Sequence, residues 1–115
     1  LTPQTAQNFR QVGREAKDAE RIFEEAREIE SAGCFMIVLE HIPADLGKRI
    51  SQSLKIPTIG IGAGPHCDGQ VLVINDLLGM GTKWPPFSRQ YAYVHKIIVE
   101  AASAFRNDVE KGMFK

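Results

Sequence analysis

Glu40 is the residue of this sequence whose position most clearly favours chemistry. It directly follows the apolar run from Phe35 to Leu39, so its carboxylate lies either at the carboxyl end of a strand or inside a core at high cost. Active sites of parallel α/β proteins gather at the carboxyl ends of the strands. A partly buried carboxylate there is suited to accept a proton as a general base. The alternative is a charge ahead of Pro43 that interacts favourably with the dipole of a following helix.

A glycine run from Gly60 to Gly64 is the second candidate feature. Glycines at positions 60, 62 and 64 allow the backbone to approach a ligand closely and to adopt positive φ. The run is not G-x-G-x-x-G and no Walker lysine follows it, so it does not indicate a nucleotide site. Two interpretations stay open, namely contact with a ligand and tight turning at a crowded strand end.

The other residues that could do chemistry have spacings that favour structural roles. Asp68 and Asp76 are expected to form a turn and to end a strand or cap a helix, rather than to bind metal. The histidines at 41, 66 and 95 lack ligand spacing, although His41 is a candidate for the same pocket as the preceding carboxylate. We therefore assign no metal ligand and no cofactor-binding residue in this chain.

The apolar periodicity predicts six elements that would position these residues. They are a helix over 15–32, a strand over 34–39, a short helix ending at 54, strands over 58–61 and 70–74, and a helix over 88–111. The alternation and the continuous apolar runs favour an α/β fold with a parallel sheet buried on both faces. The join between the last two strands is short for a parallel crossover, and a helical turn around 67–69 would fill it.

Composition excludes several classes of function. The chain has 115 residues, and 14 basic residues balance 14 acidic ones, so no net field attracts nucleic acid. No apolar run approaches the roughly 20 residues of a transmembrane helix. The start shows no secretory signal, which favours a cytoplasmic protein with Cys34 and Cys67 reduced over one with a disulfide. The chain begins with Leu1, so we expect its true start to lie upstream.

Several motifs, taken together and in this order, resemble the ketopantoate hydroxymethyltransferase family. They are Leu1-Thr-Pro-Gln4, Ile37-Val-Leu-Glu-His-Ile-Pro43, Ile56-Pro-Thr-Ile-Gly-Ile-Gly-Ala-Gly64, Cys67-Asp-Gly-Gln-Val-Leu-Val73 and Asp76-Leu-Leu-Gly79. The resemblance extends from the first residue to the last.

The resemblance implies a fold and a reaction. The fold is a (β/α)₈ TIM barrel of the phosphoenolpyruvate/pyruvate type, a single domain of which residues 1–115 are the C-terminal part with about three of eight strands. The reaction transfers a hydroxymethyl group from 5,10-methylenetetrahydrofolate to 3-methyl-2-oxobutanoate, in the pathway to pantothenate and coenzyme A. The family's catalytic glutamate, which deprotonates the carbon beside the keto group, corresponds to Glu40. Mg²⁺ holds the keto acid, and the enzyme is a homo-oligomer.

The resemblance also has gaps, and two alternatives remain. The Mg²⁺ ligands of the family lie in an N-terminal half that this chain lacks, so activity requires that half as a partner. The segment Asn8–Gly13 is shorter than in the family, and Asn75-Asp76 stands where the family often has His-Asp. One alternative is a truncated, non-catalytic half-barrel that serves as an oligomerising or binding fragment. The other is a related barrel enzyme, such as a lyase that cleaves a C–C bond beside a carboxylate.

Overall fold

The computed structural model describes residues 10–114 and contains four helices and three strands in that part of the chain. They are α1 Ala16–Ser31, β1 Ile37–Glu40, α2 Ala44–Ser53, β2 Thr58–Ile61, β3 Gly69–Gln70, α3 Ile74–Leu77 and α4 Val94–Glu110. The described chain divides into two compact units. Residues 10–72 and 85–87 form the first unit, and residues 73–84 and 88–114 form the second. The Leu1-Thr-Pro-Gln4 motif and the start of the Asn8–Gly13 segment lie outside the described residues.

The prediction of the first helix is confirmed to within one residue at each end. Ala26 is buried, and Ile22 and Phe23 pack against the same core, as the spacing of three and four residues requires. Gly33 follows the helix with φ +93°, the left-handed conformation that commonly ends helices and that glycine adopts without strain.

The three strands form one sheet in the order β1-β2-β3. β1 and β2 are parallel, with Ile37 opposite Thr58 and Glu40 opposite Ile61, and β3 is parallel to β2. The predicted α/β class and the parallel pairing are therefore confirmed. A parallel pair places the carboxyl ends of both strands at one edge, so the residues after β1 and β2 lie close together.

The first strand starts at Ile37, three residues later than predicted, and within the described residues only one of its faces is covered. Ile37 and Leu39 are buried with the core residues of α1 and α2, whereas Val38 is 56% exposed and Phe35 is 80% exposed. In the described residues, α1 and α2 pack against a single face of β1. A continuous apolar run cannot reveal which face the helices cover, because side chains alternate between faces whatever their type.

The third strand also differs from its prediction. It comprises only Gly69–Gln70 instead of residues 70–74, and Asn75 and Asp76 lie within α3 rather than at a strand end. No helical turn fills the join after β2. β3 pairs only with Ile59 and Gly60 of β2. After the end of β2 the chain therefore has to run back along only roughly two strand residues, about 7 Å. A short loop is long enough to cover that distance.

The second unit consists of α3, a loop and α4. Here α4 starts at Val94, six residues later than the predicted helix, because the preceding segment is hydrogen-bonded to the end of α3. The Tyr91 N–H donates to the Leu77 carbonyl at 2.8 Å, and the Val94 N–H donates to the Leu78 carbonyl at 3.0 Å. Although α4 has 17 residues, neither it nor another helix within residues 10–114 is long and apolar enough to cross a membrane.

Candidate active site

Glu40 lies at the carboxyl end of the parallel pair, as its position after the apolar run predicted. It is the last residue of β1 and pairs with Ile61, the last residue of β2, and it is half-buried. Side chains alternate along a strand, so Glu40 and Val38 share the sheet face opposite to the buried Ile37 and Leu39. The carboxylate is therefore presented on the face that α1 and α2 leave open.

His41 ends β1 in an unusual backbone conformation. Its φ is +49°, and it is the only non-glycine residue with positive φ within residues 10–114. Its N–H donates to the Ile61 carbonyl at 2.8 Å, and its own carbonyl accepts the Val12 N–H at 3.3 Å. Burial lowers the pKa of the imidazole, Arg14 lowers it further, and Glu40 acts in the opposite direction. His41 is thus held at the strand end with its neutral form favoured.

Phe87 is a site residue that the sequence did not reveal. Its ring centroid lies 4.9 Å from that of His41, with the planes tilted by 55°. A Cβ on Gly62, which has φ +67°, would come within 2.5 Å of the Phe87 ring. The aromatic ring therefore lies against the glycine that follows β2. One available signal was Gly62 itself, because a glycine after a strand can mark close approach by another group.

The glycine run fits the packing interpretation at each of its three glycines. A side chain at Gly60 would come within 2.9 Å of the Cys67 sulphur, and one at Gly64 would overlap Ala44. Gly62 adjoins the Phe87 ring as described above. Protein atoms thus account for the absence of a Cβ at all three positions, whereas contact of the run with a ligand stays a hypothesis.

Asp68 forms a turn, as its sequence context predicted, and lies at the other end of β2. It accepts the Thr58 N–H at 2.8 Å and the Thr58 hydroxyl at 3.0 Å. These hydrogen bonds hold the pKa of the Asp68 carboxyl below its ordinary value. Because Thr58 is the first residue of β2, Asp68 and Glu40 lie at opposite ends of the parallel pair. Asp76 lies in the first turn of α3, in the second unit.

The described residues contain no cluster of the side chains that usually bind metals. Within residues 10–114, no group of three or more His, Cys, Asp or Glu side chains is placed to hold an ion. His66 lies in the exposed turn before β3, and His95 lies in the first turn of α4. Cys34 and Cys67 are free thiols. Glu40 is the one carboxylate that the described strands bring to their shared carboxyl edge, so we assign no metal ligand among them.

This geometry defines a parallel α/β protein with a carboxylate at the carboxyl ends of its strands and an aromatic pair that begins at the next residue, His41. The chain belongs to the ketopantoate hydroxymethyltransferase family, whose model matches residues 1–115. It is 53% identical to the 3-methyl-2-oxobutanoate hydroxymethyltransferase of Rippkaea orientalis, over 99% of this chain and 45% of the relative. Enzymes of the same name from Cyanothece sp. and Pyrobaculum islandicum are 51% and 44% identical over the same shares. The chain thus spans less than half the length of these curated relatives.

Proposed function

We propose that this chain is the C-terminal part of a hydroxymethyltransferase that converts 3-methyl-2-oxobutanoate to 2-dehydropantoate, with 5,10-methylenetetrahydrofolate as the hydroxymethyl donor. Membership of the ketopantoate hydroxymethyltransferase family supports this assignment of the reaction. The observation that carries the proposal is the half-buried Glu40 at the shared carboxyl end of β1 and β2. That location is where (β/α)₈ barrels place their catalytic groups.

The proposal includes the architecture of the whole enzyme. The three parallel strands are about three of the eight in a (β/α)₈ barrel, and an N-terminal half supplies the others. In such a barrel, the sheet face that carries Val38 and Glu40 is the interior, because α1 and α2 lie against the opposite face. The 56% exposure of the apolar Val38 fits a residue that the remaining strands cover. A homo-oligomeric, cytoplasmic enzyme is part of the proposal on the family resemblance alone.

In the proposed reaction Glu40 is the general base. Its carboxylate accepts the proton from C3 of the keto acid. The electrons of the broken C–H bond form the C2=C3 double bond of an enolate, whose negative charge lies on the C2 oxygen. Return of a proton from Glu40 to C3 regenerates the keto acid, so solvent hydrogen exchanges into C3 even without the folate.

The proposal includes a bound Mg²⁺ ion, whose ligands are residues outside this chain. The family resemblance implies that the Mg²⁺ ligands lie in the N-terminal half, and within residues 10–114 no group of three or more His, Cys, Asp or Glu side chains is placed to hold an ion. A bound divalent ion supplies Lewis-acid polarisation of the keto oxygen. The part of the mechanism that this chain contributes is the proton transfer at Glu40.

Exchange of the C3 proton with D₂O tests the proposal. The N-terminal part of the Rippkaea orientalis relative is fused ahead of this chain, and loss of the C3 proton signal of 3-methyl-2-oxobutanoate is followed by NMR. Glu40→Gln should slow the exchange by about 10²–10⁴-fold, the usual contribution of a general base. Glu28→Gln, on the exposed side of α1, is the matched control and should exchange at the parental rate.

Two outcomes would contradict the proposal in different ways. Exchange that persists in Glu40→Gln would remove Glu40 from the role of base. A folded fusion that neither exchanges the C3 proton nor is thermally stabilised by the keto acid with Mg²⁺ would favour a non-catalytic fragment, an alternative that no present observation supports.

A further inference from the structure

Phe87 and His41 form an aromatic surface at the carboxyl ends of β1 and β2. Their ring centroids are 4.9 Å apart, and the Phe87 ring also lies against Gly62, where a Cβ would approach within 2.5 Å. Both aromatic residues are half-buried, so part of their surface remains accessible. We call this surface, composed of His41, Gly62 and Phe87, the aromatic wall.

The backbone fixes the wall to the strand that carries Glu40. The His41 N–H donates to the Ile61 carbonyl at 2.8 Å, which joins the ends of β1 and β2. His41 also keeps a left-handed backbone, with φ +49°, that most non-glycine residues avoid. Such a conformation persists only where the surrounding contacts determine it. The wall is therefore a defined part of this edge of the sheet.

The proposed reaction at Glu40 determines which part of the substrate would contact the aromatic wall. The proton that the proposed base removes is bonded to C3 of the keto acid, and the other substituents of C3, apart from the keto carbon, are alkyl groups. When C3 lies within reach of the Glu40 carboxylate, these alkyl groups lie near whatever surface adjoins the base. His41 directly follows Glu40, interacts with its charge and contacts Phe87 through its ring, so we take the aromatic wall as the surface that adjoins the base.

We propose that the aromatic wall receives the alkyl groups on C3 of the 2-oxo acid and limits their size. The inference rests on the proposed function and adds to it the residues that select the substrate. An apolar pocket typically discriminates by about 10–200-fold for one methylene group. A wall formed by a phenyl ring and a neutral imidazole matches small branched alkyl groups.

A substrate-size experiment on the fused enzyme tests the wall. The kcat/KM for C3 exchange is measured for 3-methyl-2-oxobutanoate and for the larger 3-methyl-2-oxopentanoate. Phe87→Leu removes the ring and should raise the ratio of larger to smaller substrate by about tenfold, the lower end of the range for one methylene group. Phe105→Leu removes a ring from α4, where Phe105 packs against Phe114, and should leave the ratio unchanged.

The outcomes separate this inference from the proposed function. If the parental fusion exchanges neither substrate, the proposed function fails and the wall has no substrate to select. If the parental fusion is active but Phe87→Leu leaves the ratio unchanged, or slows both substrates equally, the wall is a structural cover and the inference is overturned. If Phe87→Leu does not fold, His41→Asn takes its place, since asparagine tolerates the left-handed backbone. An unchanged ratio in that variant likewise overturns the inference.

Discussion

The Asp68 carboxylate accepts two hydrogen bonds from Thr58, one from the backbone N–H at 2.8 Å and one from the hydroxyl at 3.0 Å. The Thr58 hydroxyl is also 2.7 Å from the hydroxyl of Ser51 in α2. Thr58 is fully buried, so this network joins the amino end of β2 to α2 and to the turn before β3. It lies at the end of the parallel pair opposite to Glu40, and its predicted role is stability rather than catalysis.

Thr58→Val should destabilise the chain because it deletes the hydroxyl at the centre of this network while preserving the side-chain shape. The Ser51 hydroxyl and the Asp68 carboxylate each lose a partner. The expected loss is about 1–3 kcal/mol of unfolding free energy, as for a buried hydrogen bond with one partner removed. Urea denaturation measures the loss, and Thr82→Val, at an exposed loop position, is the matched control. Equal stabilities of the two variants would contradict a structural role for the hydroxyl.

Asp68→Asn should reduce stability in a pH-dependent way. The hydrogen bonds from Thr58 lower the folded-state pKa of Asp68 below its ordinary value of 3.8. Their stabilisation is therefore fully present above that value and is lost as the pH falls through the lowered pKa. The stability difference between parent and variant should be larger at about pH 6 than at about pH 2. A difference that is independent of pH, or equal to that of Asp108→Asn on the exposed α4, would contradict this reasoning.

The sequence predicted those helices and strands whose formation depends on residues close together along the chain. The helix over Ala16–Ser31 and the strand over Thr58–Ile61 follow from periodicity and turn residues, and the position of Glu40 follows from the apolar run before it. The segment Val71–Ile74 is rich in β-branched residues, yet only Gly69 and Gln70 pair with β2. The strand propensity of a residue mainly reflects how its side chain packs against neighbouring strands. The residue types alone therefore could not show at which residue the pairing with β2 ends.

Sequence patterns could not predict the aromatic wall, because its residues come from distant parts of the chain. Phe87 is separated from His41 by 46 positions along the chain, and no local period links the two. Its ring also contacts Gly62, which lies 25 positions earlier in the chain. The glycine spacing was visible in the sequence, but the group that makes the glycine necessary was not.

His41→Asn should remove a pH dependence of stability near neutral pH. Burial, with a smaller contribution from Arg14, lowers the folded-state pKa of His41 below its ordinary 6.5. The unfolded state therefore takes up a proton first as the pH falls. Stability is fully present above about pH 6.5 and declines as the pH falls from there through the lowered pKa. Unfolding free energies measured across that range should decline less in His41→Asn than in the parent, whereas the non-titrating control Gln52→Asn, at an exposed position of α2, should follow the parent. Parallel curves for all three proteins would contradict the prediction.

Gly64→Ala should destabilise the first unit more than Gly33→Ala does. Both glycines have positive φ, +81° and +93°, so alanine at either site incurs a left-handed backbone penalty of about 1–2 kcal/mol. They differ in their surroundings, because a Cβ at Gly64 would overlap Ala44, whereas one at Gly33 meets nothing within 4 Å. Overpacking adds about 1–3 kcal/mol, so Gly64→Ala should exceed Gly33→Ala by that amount in urea denaturation. Equal losses would show that α2 moves away from the end of the glycine run at little cost, and that close packing is not what requires a glycine there.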